Sequence, residues 1–146
     1  MTADTIHLFL NPTAGRGRAR RRRKRILELL RQANLPVDLH QSQAVGSLEE
    51  QVRNQVDRGA SRIVVAGGDG SVYEAVNGLM RSANVAALGV IPTGTGNDFA
   101  KACDIPLNWE HASRLLADRL AAGQYLKTID IGTMNDRFFA NGAGIG

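Results

Sequence analysis

Short β-prone runs alternate along this chain with stretches whose apolar positions recur every three or four residues. Residues 5–10 (TIHLFL) alternate and stop at Asn11-Pro12, which predicts a first strand. A helix is expected over 18–34, with Ala19, the stem of Arg22, Ile26, Leu29, Leu30 and Ala33 on one stripe. Pro36 breaks it before a short strand at 37–40. Ser47-x-x-Glu50 has the form of a capping box, and Leu48, Val52, Val56 and the stop at Gly59 complete a helical segment.

Residues 62–66 (RIVVA) read as a buried strand running into Gly67-Gly68-Asp69-Gly70. A helix begins at once, with Val72, Ala75, Val76, Leu79 and Met80 on one face. Residues 85–91 form the next buried strand, which runs into Pro92-Thr93-Gly94-Thr95-Gly96-Asn97-Asp98. A short helix at 97–102 ends before Pro106, and a longer one at 109–122 turns Ala112, Leu115, Leu116 and Leu120 inward before Gly123. Residues 125–134 and 137–141 read as strands joined at Asn135-Asp136, a hairpin turn signal. Strands alternating with helices imply an α/β fold of three layers, a mostly parallel sheet with helices on both faces. The closing hairpin breaks that rhythm. Residues 1–131 are therefore expected to be one α/β domain, and 132–146 the first strands of a second, β-rich domain.

Composition narrows the classes. A length of 146 residues suits one ordinary domain, and 43% apolar with 22% charged residues is a globular balance. No apolar run approaches the ~18 residues of a spanning helix, and the stretch before Asn11 is too short for a secretory signal. The single Cys103 excludes an internal disulfide framework, and His7, His40 and His111 are scattered without metal-ligand spacing. A cytoplasmic protein is expected.

Charge adds one feature. Residues 16–25 (RGRARRRRKR) hold eight of the 18 basic residues, leaving ten against 14 acidic ones elsewhere, so the net charge of +4 belongs to one segment. Guanidinium groups suit phosphate, and the run predicts an anionic partner. ATP phosphate is the candidate for Arg16 and Arg18, and anionic lipid head groups for the remainder through Arg25. A solvated helix face is the plain alternative. A nucleic-acid module is disfavoured, because no aromatic residues interleave with the run.

The chemistry is expected at the carboxyl edge of the sheet, where open parallel sheets bind ligands. Three loops of unusual composition leave strands there: 11–17, 67–71 and 92–98. Glycines let backbone N–H groups approach phosphate, and a helix starting near Ser71 adds its positive end. The dinucleotide fingerprint fails for want of its third glycine, and no Walker loop, protein-kinase catalytic loop or serine-hydrolase signature is present. Asp69 is the oddity, since a carboxylate inside a phosphate cradle repels its ligand unless a divalent cation or its waters intervene.

NPTAG at 11–15, GGDGSVYEAVNGL at 67–79 and PTGTGNDFAK at 92–101 resemble the diacylglycerol kinase catalytic-domain family, which includes bacterial lipid kinases and sphingosine and ceramide kinases. FANGAGIG at 139–146 resembles the family's next landmark. GGDG alone is shared with NAD kinases and phosphofructokinases, so a small-molecule kinase of that kind is the competing reading; the 92–101 motif argues against it. The resemblance implies a nucleotide-binding domain of that fold type and ATP-dependent phosphorylation of a lipid hydroxyl at a membrane surface. It implies ATP contacts by Asn11, Pro12, Thr13, Ala14 and Gly15, by Gly67, Gly68, Asp69, Gly70, Ser71, Val72 and Tyr73, and by Thr95. Ser42 stands where family members carry a threonine at the end of the second strand, and Ser71 likewise replaces a threonine. Asp69, Asp98 and Asp130 match acidic groups that organise Mg2+ and its water network, with Asp69 closest to the chemistry. The family's carboxylate general base belongs to a second, β-rich domain and is expected beyond residue 146. Without that domain the chain is expected to be inactive alone, and an unpaired apolar edge at Phe138, Phe139 and Ile145 is expected to favour self-association.

Overall fold

Strands β1 (Ile6–Leu10), β2 (Val37–Gln41), β3 (Arg62–Gly67) and β4 (Ala87–Pro92) form one parallel sheet in the order β2-β1-β3-β4. This is seen in a computed structural model that describes residues 5–12, 14–42, 44, 46–123 and 128–140. The helices are α1 (Ala14–Arg31), α2 (Ser47–Asp57), α3 (Asp69–Arg81), α4 (Asp98–Ala102) and α5 (Trp109–Ala122). A two-stranded antiparallel sheet follows, β5 (Gly132–Met134) with β6 (Arg137–Phe139).

The period-two alternation of each strand sorts the helices into two layers. Ile6, Leu8 and Leu10 of β1 join Val64 and Ala66 of β3 in a core with Ala19, Ile26 and Leu30 of α1 and Ala117 and Leu120 of α5. The alternate residues Phe9, Ile63 and Val65 face the other way, against Leu48, Val52 and Val56 of α2 and Ala75 of α3. Helices thus cover both faces of the sheet, as the alternation of elements predicts. Side chains as fully enclosed as Leu8, Ile26 and Leu30 each contribute about 1.5–3 kcal/mol through removal from water.

Several boundaries differ from the sequence expectation, each for a local reason. α1 begins at Ala14 and ends at Arg31, where 18–34 was expected. It begins early even though Arg16 and Gly17 are left-handed (φ 61 and 85), and it stops early because Asn34 turns left-handed (φ 58) ahead of Pro36. The Ser47 capping box does not form. Its hydroxyl donates back to the Ala44 carbonyl at 2.7 Å, and left-handed Gly46 holds the N-cap position. β4 starts at Ala87, since pairing begins with Ala87 N–H donating to Ser61 O, and Val85 is left almost fully exposed. Of the expected strand 125–134 only Gly132–Met134 is a strand; residues 124–127 and 141–146 lie outside the described residues.

The Asn135-Asp136 turn forms as expected, with both residues left-handed (φ 51 and 63). Its hairpin does not present the unpaired edge expected at Phe138. Asn77 of α3, fully buried, donates through Nδ2 to Phe138 O and accepts from Phe138 N–H at Oδ1, both at 2.9 Å. One side-chain amide thus satisfies the outward backbone groups of β6 as a neighbouring strand would. Phe138 and Phe139 are half-buried, and Ile145 lies outside the described residues.

His7 and His40, far apart in sequence, meet across the β1–β2 pair with Nδ1 and Nε2 3.0 Å apart, and His40 stacks on Phe9. One proton must sit between the two nitrogens. Burial lowers both imidazoles below the ordinary value of 6.5; Asp38 opposes this, and for His40 the second ring adds to it. The unfolded chain therefore takes up protons that the folded chain refuses. Stability is full above 6.5 and falls as the pH drops below that value. Thermal midpoints measured from about pH 8 to about pH 5 should be level and then decline. In a His7→Phe/His40→Phe double variant the decline should flatten; an unchanged pH profile there would remove the pair as its source.

Candidate functional site

All four parallel strands deliver their carboxyl ends to one edge. Leu10 is level with Gln41 and Ala66, and Gly67 with Pro92. Pairing continues one residue further on two strands, with Ser42 N–H donating to Leu10 O at 3.1 Å and Thr93 N–H to Gly67 O at 3.0 Å. Ser42, Asn11, Gly67 and Pro92 consequently stand in a row, with Thr93 one residue beyond it. The strand order reverses between β1 and β3, the switch point at which such sheets leave a crevice.

Beside that crevice two glycine-rich loops touch backbone to backbone. A Cβ on Gly94 would lie 2.4 Å from Gly68 Cα, and one on Gly68 would lie 3.0 Å from Gly94 Cα. These two glycines are required because the loops approach each other. Gly70 differs, since a Cβ there would meet nothing within 4 Å. It opens α3 towards free space.

Asp69 fastens the two loops. Its Oδ2 accepts from Asp98 N–H at 2.9 Å and its Oδ1 from Phe99 N–H at 3.0 Å. Those amides begin α4, whose own N-cap residue Asn97 is left-handed (φ 55) and makes no cap. The Asn97 side chain closes instead on Gly94, accepting from its N–H at 3.2 Å and donating to its carbonyl at 3.1 Å. A carboxylate from a neighbouring loop therefore caps the helix, the charge its N-terminus favours. Hydrogen bonds to a charged acceptor contribute about 1.5–3 kcal/mol each, less at this half-buried position. Gly96 makes the reach possible, since a Cβ there would crowd Asp69 Oδ2 at 3.2 Å.

Beneath the loops Thr93 is 1% exposed, and its hydroxyl has no protein partner. Ser71 and Val72 are buried in the first turn of α3, and Tyr73 is 40% exposed one turn on. Tyr73 Oη accepts from Arg137 Nε at 2.8 Å. Arg137 also forks onto Glu49 of α2, and these two partners hold its guanidinium above the ordinary arginine range.

Of the expected acidic trio, Asp69 is the bridge just described. Asp98 is exposed at the start of α4, 4.0 Å from Lys101. Asp130 is exposed between Ile129 and Ile131, which pack on the Val72, Val76, Val90 and Phe99 cluster behind α3 and α4. Among the described residues no three His, Cys, Asp or Glu side chains gather closely enough to hold a metal. The donor set fits a magnesium ion held mainly by water and phosphate, with one or two carboxylates. It does not fit a cation caged by protein.

The N-terminal loop is shorter than expected. Asn11 and Pro12 leave β1, Thr13 lies outside the described residues, and Ala14 and Gly15 already belong to α1. Pro12, Arg16, Gly17 and Arg20 line an open hollow of about 360 Å³. The basic run divides in two. Arg22 lies 4.9 Å over the Trp109 ring, and Arg25 pairs with Glu28 and with Glu110 of α5. Arg16, Arg18, Arg20, Arg23 and Lys24 have no carboxylate partner among the described residues.

Gly94, Gly96 and Asn97 lie inside a motif already singled out, yet their roles follow only from the contact between the two loops. Asn77 lies inside the 67–79 motif as well, whereas Glu49 and Arg137 lie in none, and the meeting of the three depends on where the hairpin docks. Thr95 is exposed in its loop.

Residues 5–137 match the Diacylglycerol kinase catalytic domain family. The chain is 35% identical over 139 residues to a diacylglycerol kinase of Bacillus subtilis (strain 168), covering 95% of this chain and 45% of that protein. It is 30% identical over 134 residues to a diacylglycerol kinase of Staphylococcus saprophyticus, covering 92% and 42%. The crystal structure of a diacylglycerol kinase from Bacillus anthracis str. Sterne superposes with a TM-score of 0.81 at 27% identity, over 93% of this chain and 45% of that one. The chain thus spans less than half the length of the relatives it matches.

Proposed function

Because this chain belongs to the diacylglycerol kinase catalytic-domain family, we propose that it supplies the ATP-holding half of a lipid kinase. The reaction is transfer of the γ-phosphoryl group of ATP to the hydroxyl of a diacylglycerol-like lipid. One observation carries this reading: two glycine loops are locked together at the carboxyl edge of a parallel sheet, with Gly70 open to space at the first turn of α3.

The chain's own groups divide the work. Backbone N–H groups at the start of α3, near Gly70 and Ser71, take the phosphates with the aid of the helix dipole. The Thr93 hydroxyl, buried without a partner, is a further donor at the base of the site. Asn11 through Gly15, Ser42, Tyr73 and Thr95 form the remaining nucleotide wall. When bound, magnesium neutralises charge on the phosphates, and Asp69, Asp98 and Asp130 hold its water shell rather than the ion itself. Such transfer depends mostly on positioning and charge stabilisation. We assign the general base to the part of the relatives that this chain does not cover, so the chain alone binds nucleotide without transferring phosphate to lipid.

Residues 16–25 serve the membrane side of this reading. No helix among the described residues is long and apolar enough to cross a bilayer. Arg16, Arg18, Arg20, Arg23 and Lys24, which have no carboxylate partner among the described residues, lie on the first three turns of α1, and each basic residue near an anionic surface adds about 1 kcal/mol.

Two measurements check these statements. Calorimetry with MgATP should detect binding by the chain. Gly70→Ala should weaken it at least fivefold, about 1 kcal/mol, while the thermal midpoint is kept or raised. Gly94→Ala should instead lower the midpoint, because overpacking costs about 1–3 kcal/mol of stability. No binding by the wild-type chain, or full affinity in Gly70→Ala, contradicts the phosphate cradle. For the membrane, co-sedimentation at low salt should favour phosphatidylglycerol over phosphatidylcholine vesicles, and replacing Arg18, Arg20 and Arg23 by Gln should abolish the preference. Equal binding to both lipids excludes the anionic-surface role.

A further inference from the structure

Three side chains of α3 face the β5–β6 hairpin at one-turn intervals: Tyr73, Asn77 and Arg81. Tyr73 Oη takes the Arg137 Nε–H at 2.8 Å, and the guanidinium lies 5.0 Å from the centre of the same ring. Asn77 holds the backbone of Phe138 at two points and also donates to Tyr73 O at 2.9 Å. Arg81 donates to Asp136 O at the turn and lies 5.8 Å over the Phe138 ring. Glu49 of α2 accepts both terminal nitrogens of Arg137 and stands 3.8 Å from Arg81 Nε. The hairpin is thus laid along the whole length of α3, and the first of its attachments falls on the turn next to Gly70.

We infer that Arg137, with Tyr73 and Glu49, forms a latch through which the β5–β6 hairpin sets the position of the opening turn of α3, making Arg137 a positioning residue for the site. The inference rests on reading that turn as the phosphate-facing one. The physical argument is one of rigidity. A helix moves as a unit, so a strand fixed to it at three successive turns cannot shift without carrying its N-terminus along. An isolated surface ion pair would not do this, because two flexible side chains in water hold no fixed geometry. Arg137 is different, because its planar fork meets a carboxylate at two points and an aromatic ring at a third. Asn77 bears the load and Arg137 sets the angle. Any structure joined to the hairpin is thereby referenced to the Gly-Asp-Gly loop.

Hydrogen exchange on the whole chain tests this without nucleotide. In Arg137→Met, amides of residues 69–76 and of the hairpin should exchange at least fivefold faster, while those of β1 and β3 keep wild-type rates. Arg137→Lys, which keeps the charge but loses the fork, should behave like Met. Tyr73→Phe deletes one hydroxyl and, as the variant least able to disturb folding, should show the same change at 69–76 to a smaller extent. MgATP affinity should fall at least fivefold in Arg137→Met. A hairpin loosened over an unchanged α3, wild-type behaviour in Arg137→Lys, or unaltered affinity would each overturn the latch. If the wild-type chain binds no MgATP, the nucleotide reading fails, and the apo exchange rates still decide whether the latch exists.

Discussion

The two hydrogen bonds that the Asp69 carboxylate accepts from the Asp98 and Phe99 amides set the geometry of the two glycine-rich loops at the carboxyl edge. Each glycine-rich loop belongs to a different βα unit, and nothing in the sheet ladder fixes one relative to the other beyond Thr93. Asp69 does so by joining the first residue of α3 to the first residues of α4. Once it is in place, Gly68 and Gly94 must pass at backbone distance, and only residues without a Cβ tolerate that approach. Asn97 then folds the rest of the loop back on Gly94. The expected electrostatic conflict of a carboxylate in a phosphate cradle is lessened in the same step, because the charge is already spent on two backbone donors.

The architecture was legible because it rests on local periodicity. Alternation in 5–10 assigned Leu8 to one face and Phe9 to the other, and the helix stripes at Ile26 and Leu30 or Val52 and Val56 found the matching cores. Parallel strands joined by helices then leave little topological choice. The edge carrying the three loops follows from strand direction alone. The elements read least well were those set by capping and backbone sign: a serine that bonds backward in place of capping α2, and a first helix that runs through two left-handed residues.

The unread part of the site is long-range. Nothing near His7 announces His40, and their meeting is a consequence of the β1–β2 register. Asn77 lies in the 67–79 motif, and only the docked hairpin shows its structural part: it closes the edge of β6 at Phe138, where an unpaired edge was expected. Arg137 and Glu49 lie 88 positions apart and find each other only because the hairpin docks across α2 and α3. Asp69 was recognised as chemically anomalous, and its structural duty was invisible, because the partner amides carry no side-chain signature at all.

Amide exchange at Asp98 and Phe99 measures the Asp69 bridge most directly. The account predicts that both amides are protected in the wild-type chain, that Asp69→Ala releases both together, and that Asp69→Asn, with one carbonyl oxygen left, retains part of the protection. Exchange at these two amides that is equal in the wild type and in Asp69→Ala would contradict it.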